Sequence, residues 1–234
     1  MKLALIGYGA MGQLVARLAL AAGDEIGATL TSKDSSRSLD DTVAVLRGHD
    51  VAIDFSTGAA AVAHIEACAR AGVPLVQGTT GWKDHEADAR RIVGEHGAAM
   101  VYGANFSIGV NVFYRIVEQA AKLFSDLDQY EAFIEEQHHS RKLDAPSGTA
   151  LKLRSLIAEH SKGPISIAST RAGHIPGTHR VGFDSAADQI VLTHMARSRE
   201  GFAAGALMAA RWIVGRKGVF EFSQVIDELM GTEF

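Results

Sequence analysis

The sequence predicts an α/β protein in two parts: a parallel sheet covered by helices on both faces, then an α+β domain with a smaller mixed or antiparallel sheet. Three observations carry this. Through the first hundred residues, short apolar runs alternate with stretches of helical spacing. A glycine-rich turn, Gly7 to Gly12, joins the first run to the first helix. After about residue 105 the rhythm changes, and from about residue 165 strand-like runs follow one another without long helices between them. Near-continuous apolar strands alternating with helices mark a parallel sheet buried on both faces.

Taken in order, strands are expected at 2–7, 25–31, 51–55, 74–78 and 98–102, each bounded by Gly, Pro, Asp or Ser. Helices are expected at 10–22, 41–47, 59–71 and 84–96; Val62, Ile65, Cys68 and Ala69 show the apolar spacing clearly. Beyond the change of rhythm near Asn105 come a helix at 110–124, a strand at 129–138 whose end turns polar, and a helix at 145–160. Strands at 165–170, 178–183 and 189–195 follow, then helices at 202–214 and 222–230.

The composition excludes several classes. With 234 residues, 47% of them hydrophobic, the chain is long enough for a sizeable core and too apolar to be disordered. A single Cys forms no internal disulfide and no Cys-rich metal site. A net charge of −4 argues against a nucleic-acid or membrane-surface partner drawn by bulk charge. No apolar run approaches the roughly 18 residues of a membrane span, and the N-terminal run is too short for a signal peptide. The expectation is a soluble cytoplasmic protein.

Gly7-Tyr8-Gly9-Ala10-Met11-Gly12 fits G-x-G-x-x-G between a strand and a helix. In such a turn the first glycine permits the bend, the second lets backbone approach a pyrophosphate, and the third lets helix and strand pack closely. The free N–H groups of the helix start then face the phosphates. A glycine turn serving packing alone is the alternative; the position in the first βαβ unit favours a dinucleotide. NAD-selective sites place an acid at the end of the second strand. Here Thr31 leads to Ser32 and Lys33, which suit a 2′-phosphate, so NADPH is expected with NADH tolerated. Lys33 as a solvated loop lysine is the competing reading. Gly78-Thr79-Thr80-Gly81 and Gly103-Ala104-Asn105-Phe106-Ser107 fall at strand ends on the same sheet edge, where small residues let a nucleotide lie against backbone.

The densest polar cluster runs from Glu135 to Ala150 and contains His138-His139, Lys142 and Asp144-Ala145-Pro146-Ser147-Gly148-Thr149. Adjacent histidines on a strand face opposite ways, so His138 and His139 do not share an ion, and no metal is expected. An anion site is the better reading. Pro146 suits the first turn of a helix beginning near Ala145. Ser147, Gly148 and Thr149 offer N–H groups and hydroxyls at its start, and His139 and Lys142 add charge-assisted donors. A solvated loop before a capped helix is the plainer alternative.

The string E-x-H-H-x-x-K-x-D-A-P-S-G-T-A resembles the signature of the 4-hydroxy-tetrahydrodipicolinate (dihydrodipicolinate) reductase family. The likeness spans the chain: GYGAMG at the start, Val51–Ser56, Gly78–Gly81, Asn105–Val110, Arg171-Ala172-Gly173, Thr193-His194-x-Ala196, and Arg199-x-x-Phe202-Ala203-x-Gly205-Ala206. It departs where Thr178 stands in place of an acid common before the following His, and where no acid or Arg follows strand two.

The resemblance implies an NAD(P)H-dependent reduction of a cyclic imine dicarboxylate to tetrahydrodipicolinate, on the diaminopimelate route to lysine. It implies a Rossmann-type dinucleotide domain of residues 1–106 and 200–234, and a substrate and oligomerisation domain of residues 107–199 that assembles a homotetramer. His138 would be the proton donor and acceptor, and Lys142 the catalytic acid. His139, Ser147, Gly148, Thr149 and Arg199 would bind the substrate's carboxylates. Gly7 to Gly12, Gly78 to Thr80 and Gly103 to Phe106 would contact the cofactor, joined by Ser32 and Lys33. Two other functions compete. A related amino- or imino-acid dehydrogenase shares the nucleotide half but has no need of the whole HHxxK–SGT constellation. A non-catalytic NAD(P)-sensing regulator would lose the catalytic pair or add a DNA-binding segment.

Overall fold

Leu3 to Ile6 are four apolar residues in a row and are fully buried, which only a strand covered on both faces allows. This is β1 (Lys2–Ile6), an inner strand of a six-stranded sheet in the order β10-β5-β4-β3-β1-β2. The others are β2 (Glu25–Leu30), β3 (Val51–Asp54), β4 (Leu75–Gln77), β5 (Ala99–Tyr102) and β10 (Gly218–Glu221), and every pairing is parallel. The computed structural model describes residues 1–231. In it this sheet belongs to a unit made of Met1–Ile108 and the chain from Glu200 on, while Gly109–Arg199 form a second unit. Residues 232–234 of the expected 200–234 segment lie outside the described ones.

Helices α1 (Ala10–Ala21), α2 (Leu39–Leu46), α3 (Gly58–Ala71) and α4 (Glu86–Glu95) alternate with these strands, and α7 (Glu200–Ile213) and α8 (Phe222–Met230) flank β10. Ile6, Ala52, Ile65, Cys68, Leu75 and Met100 are central to one core. The chain moves from β1 to β2 on one side and to β3 on the other. The carboxyl ends of β1 and β3 therefore flank the point where strand order reverses, the usual ligand position in open α/β sheets.

In the second unit, β6 (Glu131–His138) pairs parallel with β7 (Ser166–Arg171) and antiparallel with β8 (Thr178–Asp184), which pairs antiparallel with β9 (Gln189–Met195). The sheet is mixed, in the order β7-β6-β8-β9. Helices α5 (Ile108–Phe124) and α6 (Gly148–Ala158) bury Phe113, Val117, Leu153 and Ile157 against Ile134, Val181 and Phe183 of its inner face.

Three local expectations are corrected. The helix expected at 145–160 begins at Gly148: the Ser147 side chain accepts the Ala150 N–H and caps it, and Pro146 lies before the cap, in a cis peptide with Ala145. The stretch 84–96 divides into a 3-10 turn, Lys83–His85, and α4. Strand β10 was not anticipated, because it is only four residues long, with three half-buried and Glu221 exposed, and shows no alternation.

Candidate active site

The glycine turn after β1 has the shape its sequence demands. Gly7 takes φ +86°, and a Cβ there would lie 2.5 Å from the Phe55 carbonyl oxygen, so a side chain is excluded both by conformation and by space. A Cβ on Gly12 would lie 2.1 Å from the Gly7 carbonyl oxygen, whereas one on Gly9 would meet nothing within 4 Å. The third glycine thus lets α1 press against the turn, and the second faces open space. The first helical bond of α1 runs from Gln13 N–H to Gly9 C=O, and no side chain caps the helix. Its leading amides therefore have no intrahelical acceptors, the arrangement that receives a pyrophosphate. These residues fit a dinucleotide.

Below this edge sits a polar network that the sequence reading missed. Asp54, fully buried at the end of β3, accepts from Ser56 N–H at 2.8 Å, Gln77 Nε2 at 3.0 Å and Thr79 Oγ1 at 3.1 Å, and pairs with His64 Nδ1 at 2.9 Å. Burial alone would raise its pKa, but these bonds, His64 foremost, hold it below the usual carboxylate range. The network pins the turns after β3 and β4 to each other. Thr79 is committed to it: its N–H donates to Gln77 Oε1 and its hydroxyl also accepts from Ser56 N–H. Phe106 is likewise turned inward, 2% exposed, with its ring edge-on to Phe55 and tilted against Phe222. Any contact these two residues make with a nucleotide is through backbone. Asn105 Oδ1 accepts from Ser107 N–H, Thr80 is exposed and Tyr8 is 42% exposed. Ser32 and Lys33 form an exposed 3-10 turn after β2. Asp34, the next residue, folds its carboxylate back onto Thr31 N–H and Arg37 Nε, both at 2.8 Å.

In the second unit, period-2 alternation along β6 puts Ile134, Glu136 and His138 on the buried face. Register does the rest: Glu136 is opposite His179 on β8, and His138 is opposite Arg171 on β7. Arg171 clamps Glu136 with both terminal nitrogens, at 2.6 and 3.0 Å. Glu136 also pairs with His138 Nδ1 and accepts from Ser147 N–H at 3.3 Å. Burial alone would raise the Glu136 pKa, but the Arg171, Ser169 and His138 bonds bring it down to about 2. Burial lowers His138 more than Glu136 raises it, with Lys142 and Arg171 adding to the decrease. His179 is lowered to about 4 by burial and by the nearby His138.

Glu136, His138 and His179 bring one potential ligand atom each within 4.8 Å of the others. A cation there would compete with Arg171 for both carboxylate oxygens and sit beside its fixed charge. The cluster's chemistry favours proton handling.

Of the sequence-derived candidates, His138 is buried, His139 is half-buried with Nδ1 unpartnered, and Lys142 lies in the turn after β6, its Nζ 2.8 Å from Asp144 Oδ1. Lys142 is near enough to influence His138 and His179 electrostatically. Gly148 is exposed and Thr149 half-buried at the head of α6. Ser147 is 2% exposed, and its hydroxyl is engaged by Ala150 N–H and His179 Nε2. Its hydroxyl therefore shapes the helix start. Arg199 ends the second unit, exposed. Glu136, Arg171 and His179 were missed as site residues, although a Glu and a His alternating with Ile134 on one strand face were a legible signal.

Models of the N-terminal and C-terminal parts of dihydrodipicolinate reductase match residues 1–106 and 109–226. The chain belongs to the dihydrodipicolinate reductase family. A 4-hydroxy-tetrahydrodipicolinate reductase of Christiangramia forsetii is 39% identical over 98% of this chain and 99% of that relative. One of Acinetobacter baumannii strain AYE is 41% identical over 74% of this chain and 70% of its own. The fold is that of the dipicolinate-bound dihydrodipicolinate reductase from Paenisporosarcina sp. TG-14, with a TM-score of 0.78 at 24% identity over 94% of this chain and 97% of that one. A probable dehydrogenase from Thermotoga maritima shares it more loosely, with a TM-score of 0.56 at 10% identity over 97% of this chain and 93% of that one. The reductase is thus a nicotinamide-nucleotide-dependent oxidoreductase of the diaminopimelate route to lysine. Among the described residues no helix is long and apolar enough to cross a membrane.

Proposed function

We propose that residues 1–106 and 200–234 hold the nicotinamide nucleotide, and that residues 107–199 hold the substrate and form subunit contacts. The substrate is the cyclic imine dicarboxylate derived from 4-hydroxy-tetrahydrodipicolinate, and the product is tetrahydrodipicolinate. The observation that carries the reading is a buried, charge-balanced Glu136–His138–Arg171 cluster within electrostatic reach of Lys142.

Nucleotide contacts fall to Gly7, Tyr8, Gly9, Ala10, Met11 and Gly12, to Gly78, Thr79 and Thr80, and to Gly103, Ala104, Asn105 and Phe106. When bound, the nucleotide supplies hydride to the substrate ring. The protein must then place a proton on the neighbouring enamine carbon: the new C–H bond forms from the enamine pair as the ring C=N closes. Lys142 as ammonium and His138 are the groups assigned to that transfer. Gly148 and Thr149 amides, His139 and the planar fork of Arg199 take the two carboxylates, with Ser147 holding the helix start. NADPH is the preferred donor and NADH also serves. Ser32 and Lys33 follow β2 in an exposed turn, and Asp34, the acid that the turn carries after them, is already engaged by Thr31 N–H and Arg37 Nε.

A homotetramer is supported by the edge strand β9, which leaves Ile190, Val191 and Met195 at 43–61% exposure. The nucleotide requirement is met in the cytoplasm, where the reductase is placed. Following NADPH absorbance in the presence of the imine tests the reading. Lys142→Ala is expected to lower kcat by two or more orders of magnitude while the Kd for NADPH stays within about twofold. An equal loss in nucleotide binding would refute the assignment of Lys142 to substrate.

A further inference from the structure

The reaction needs a histidine that presents one defined nitrogen, and the cluster around His138 specifies which. We propose that Glu136, clamped by Arg171, is the positioning residue that keeps the His138 proton on Nδ1, so that Nε2 is the nitrogen through which the transferred proton passes. The inference rests on the assignment of His138 to proton transfer.

Glu136 is 1% exposed and ionised, held so by a two-point guanidinium bond. An ionised carboxylate only accepts hydrogen bonds. Its partner on the ring is His138 Nδ1, so Nδ1 must carry the proton and Nε2 the lone pair. Burial keeps the ring neutral near pH 7. When Nε2 takes a proton, the resulting imidazolium has the Glu136 charge beside it, as in other carboxylate–histidine pairs.

Space around the second nitrogen points the same way. Gly177, with φ +151°, lies beside the ring, and a Cβ built on it would stand 3.1 Å from Nε2 and 3.3 Å from Cδ2. Glycine keeps side-chain atoms off the face of the imidazole that the mechanism uses. Arg171 also decides what a neutral substitute does at position 136. A guanidinium has only donors, and of the two Glu136 oxygens Oε1 takes both Arg171 Nη2 at 2.6 Å and Ser147 N–H at 3.3 Å, whereas Oε2 takes Arg171 Nη1 at 3.0 Å and pairs with His138. The single acceptor oxygen of a glutamine there therefore settles in the Oε1 position. Its NH2 then faces His138 Nδ1 and donates to it, which moves the ring proton to Nε2.

The test is 15N NMR of the histidine-labelled full-length protein near pH 8, with the His138 signals assigned by their loss in His138→Gln. The wild-type protein is expected to show Nδ1 protonated and Nε2 unprotonated. In Glu136→Gln the assignment inverts and kcat falls on the order of a hundredfold, with the KM for NADPH within about twofold. Glu136→Asp keeps the wild-type tautomer and recovers most of the turnover. A wild-type His138 carrying its proton on Nε2 would overturn the proposal, as would a folded Glu136→Gln that retains the Nδ1–H form. If Glu136→Gln does not fold, the wild-type spectrum and Glu136→Asp decide. A His138→Gln protein with undiminished turnover would instead overturn the underlying assignment of His138, whatever the tautomer.

Discussion

At the scale of single residues, the second unit concentrates its costs in one place. Glu136, His138, Ser147 and His179 are all under a tenth exposed, and each polar atom must find a partner or be desolvated at a loss. Glu136 finds its partners; His179 does so on one side only, since Nε2 meets Ser147 Oγ and Nδ1 is unpartnered. Burial, with His138 nearby, depresses the His179 pKa to about 4 from the usual 6.5. The unfolded chain therefore binds this proton first as pH falls. Stability from the neutral ring is complete above about pH 6.5 and is lost between there and pH 4, by up to ~3 kcal/mol. Urea unfolding at a series of pH values should show that slope. His179→Asn should flatten it, whatever it does to stability at pH 8; an unchanged slope would mean His179 is not the group responsible.

At the scale of elements, close backbone contacts set the nucleotide site more than side chains do. Helix α1 rests on the glycine turn with Gly12 against the Gly7 carbonyl, and α7 rests on the loop after β5 with a Gly205 Cβ position only 1.8 Å from the Phe106 carbonyl oxygen. Neither neighbour is a flexible side-chain end, so a methyl group must displace a helix. Gly12→Ala is expected to cost about 1–3 kcal/mol of stability. It should also weaken NADPH binding at least tenfold, because the leading amides of α1 move with the helix. Nucleotide fluorescence titration measures this, and near-wild-type affinity would show that those amides do not bind the phosphates. The capped start of α6 follows the same logic, with the Ser147 side chain taking Ala150 N–H and leaving the exposed Gly148 at the head of the helix.

At the scale of the whole molecule, each unit has its own core and its own proposed ligand, so lesions should separate. Arg199→Ala is expected to raise the inhibition constant of pyridine-2,6-dicarboxylate by tenfold or more, since a desolvated carboxylate that loses its partner costs about 2–5 kcal/mol. NADPH affinity should not change. Lys33→Glu should do the converse, weakening NADPH but not NADH by repelling the 2′-phosphate, with the diacid unaffected. Steady-state inhibition and nucleotide titration of both variants settle the matter. An Arg199→Ala enzyme with an unchanged inhibition constant would remove that residue from the carboxylate site.

Sequence alone determined the features that depend on local pattern. The apolar runs of β1, β3 and β5, the helical spacing of α3 and the strand–glycine–helix junction at Gly7 to Gly12 were all legible, because strand burial, helix periodicity and the need for glycine act over a few neighbouring residues. The motif from Glu136 to Ala150 likewise carried the family resemblance. Tertiary structure decided what depends on register and on distant partners. That Glu136 stands opposite His179, that Arg171 reaches back to clamp it, and that Asp54 ties His64, Gln77 and Thr79 together are consequences of strand pairing and helix packing across some 10 to 43 positions. The inward turn of Ser147 and Phe106 and the half-exposed edge strand β10 belong here too. In each case the deciding energy is the satisfaction of a buried polar group or the packing of a ring, and the partner lies where no local pattern points.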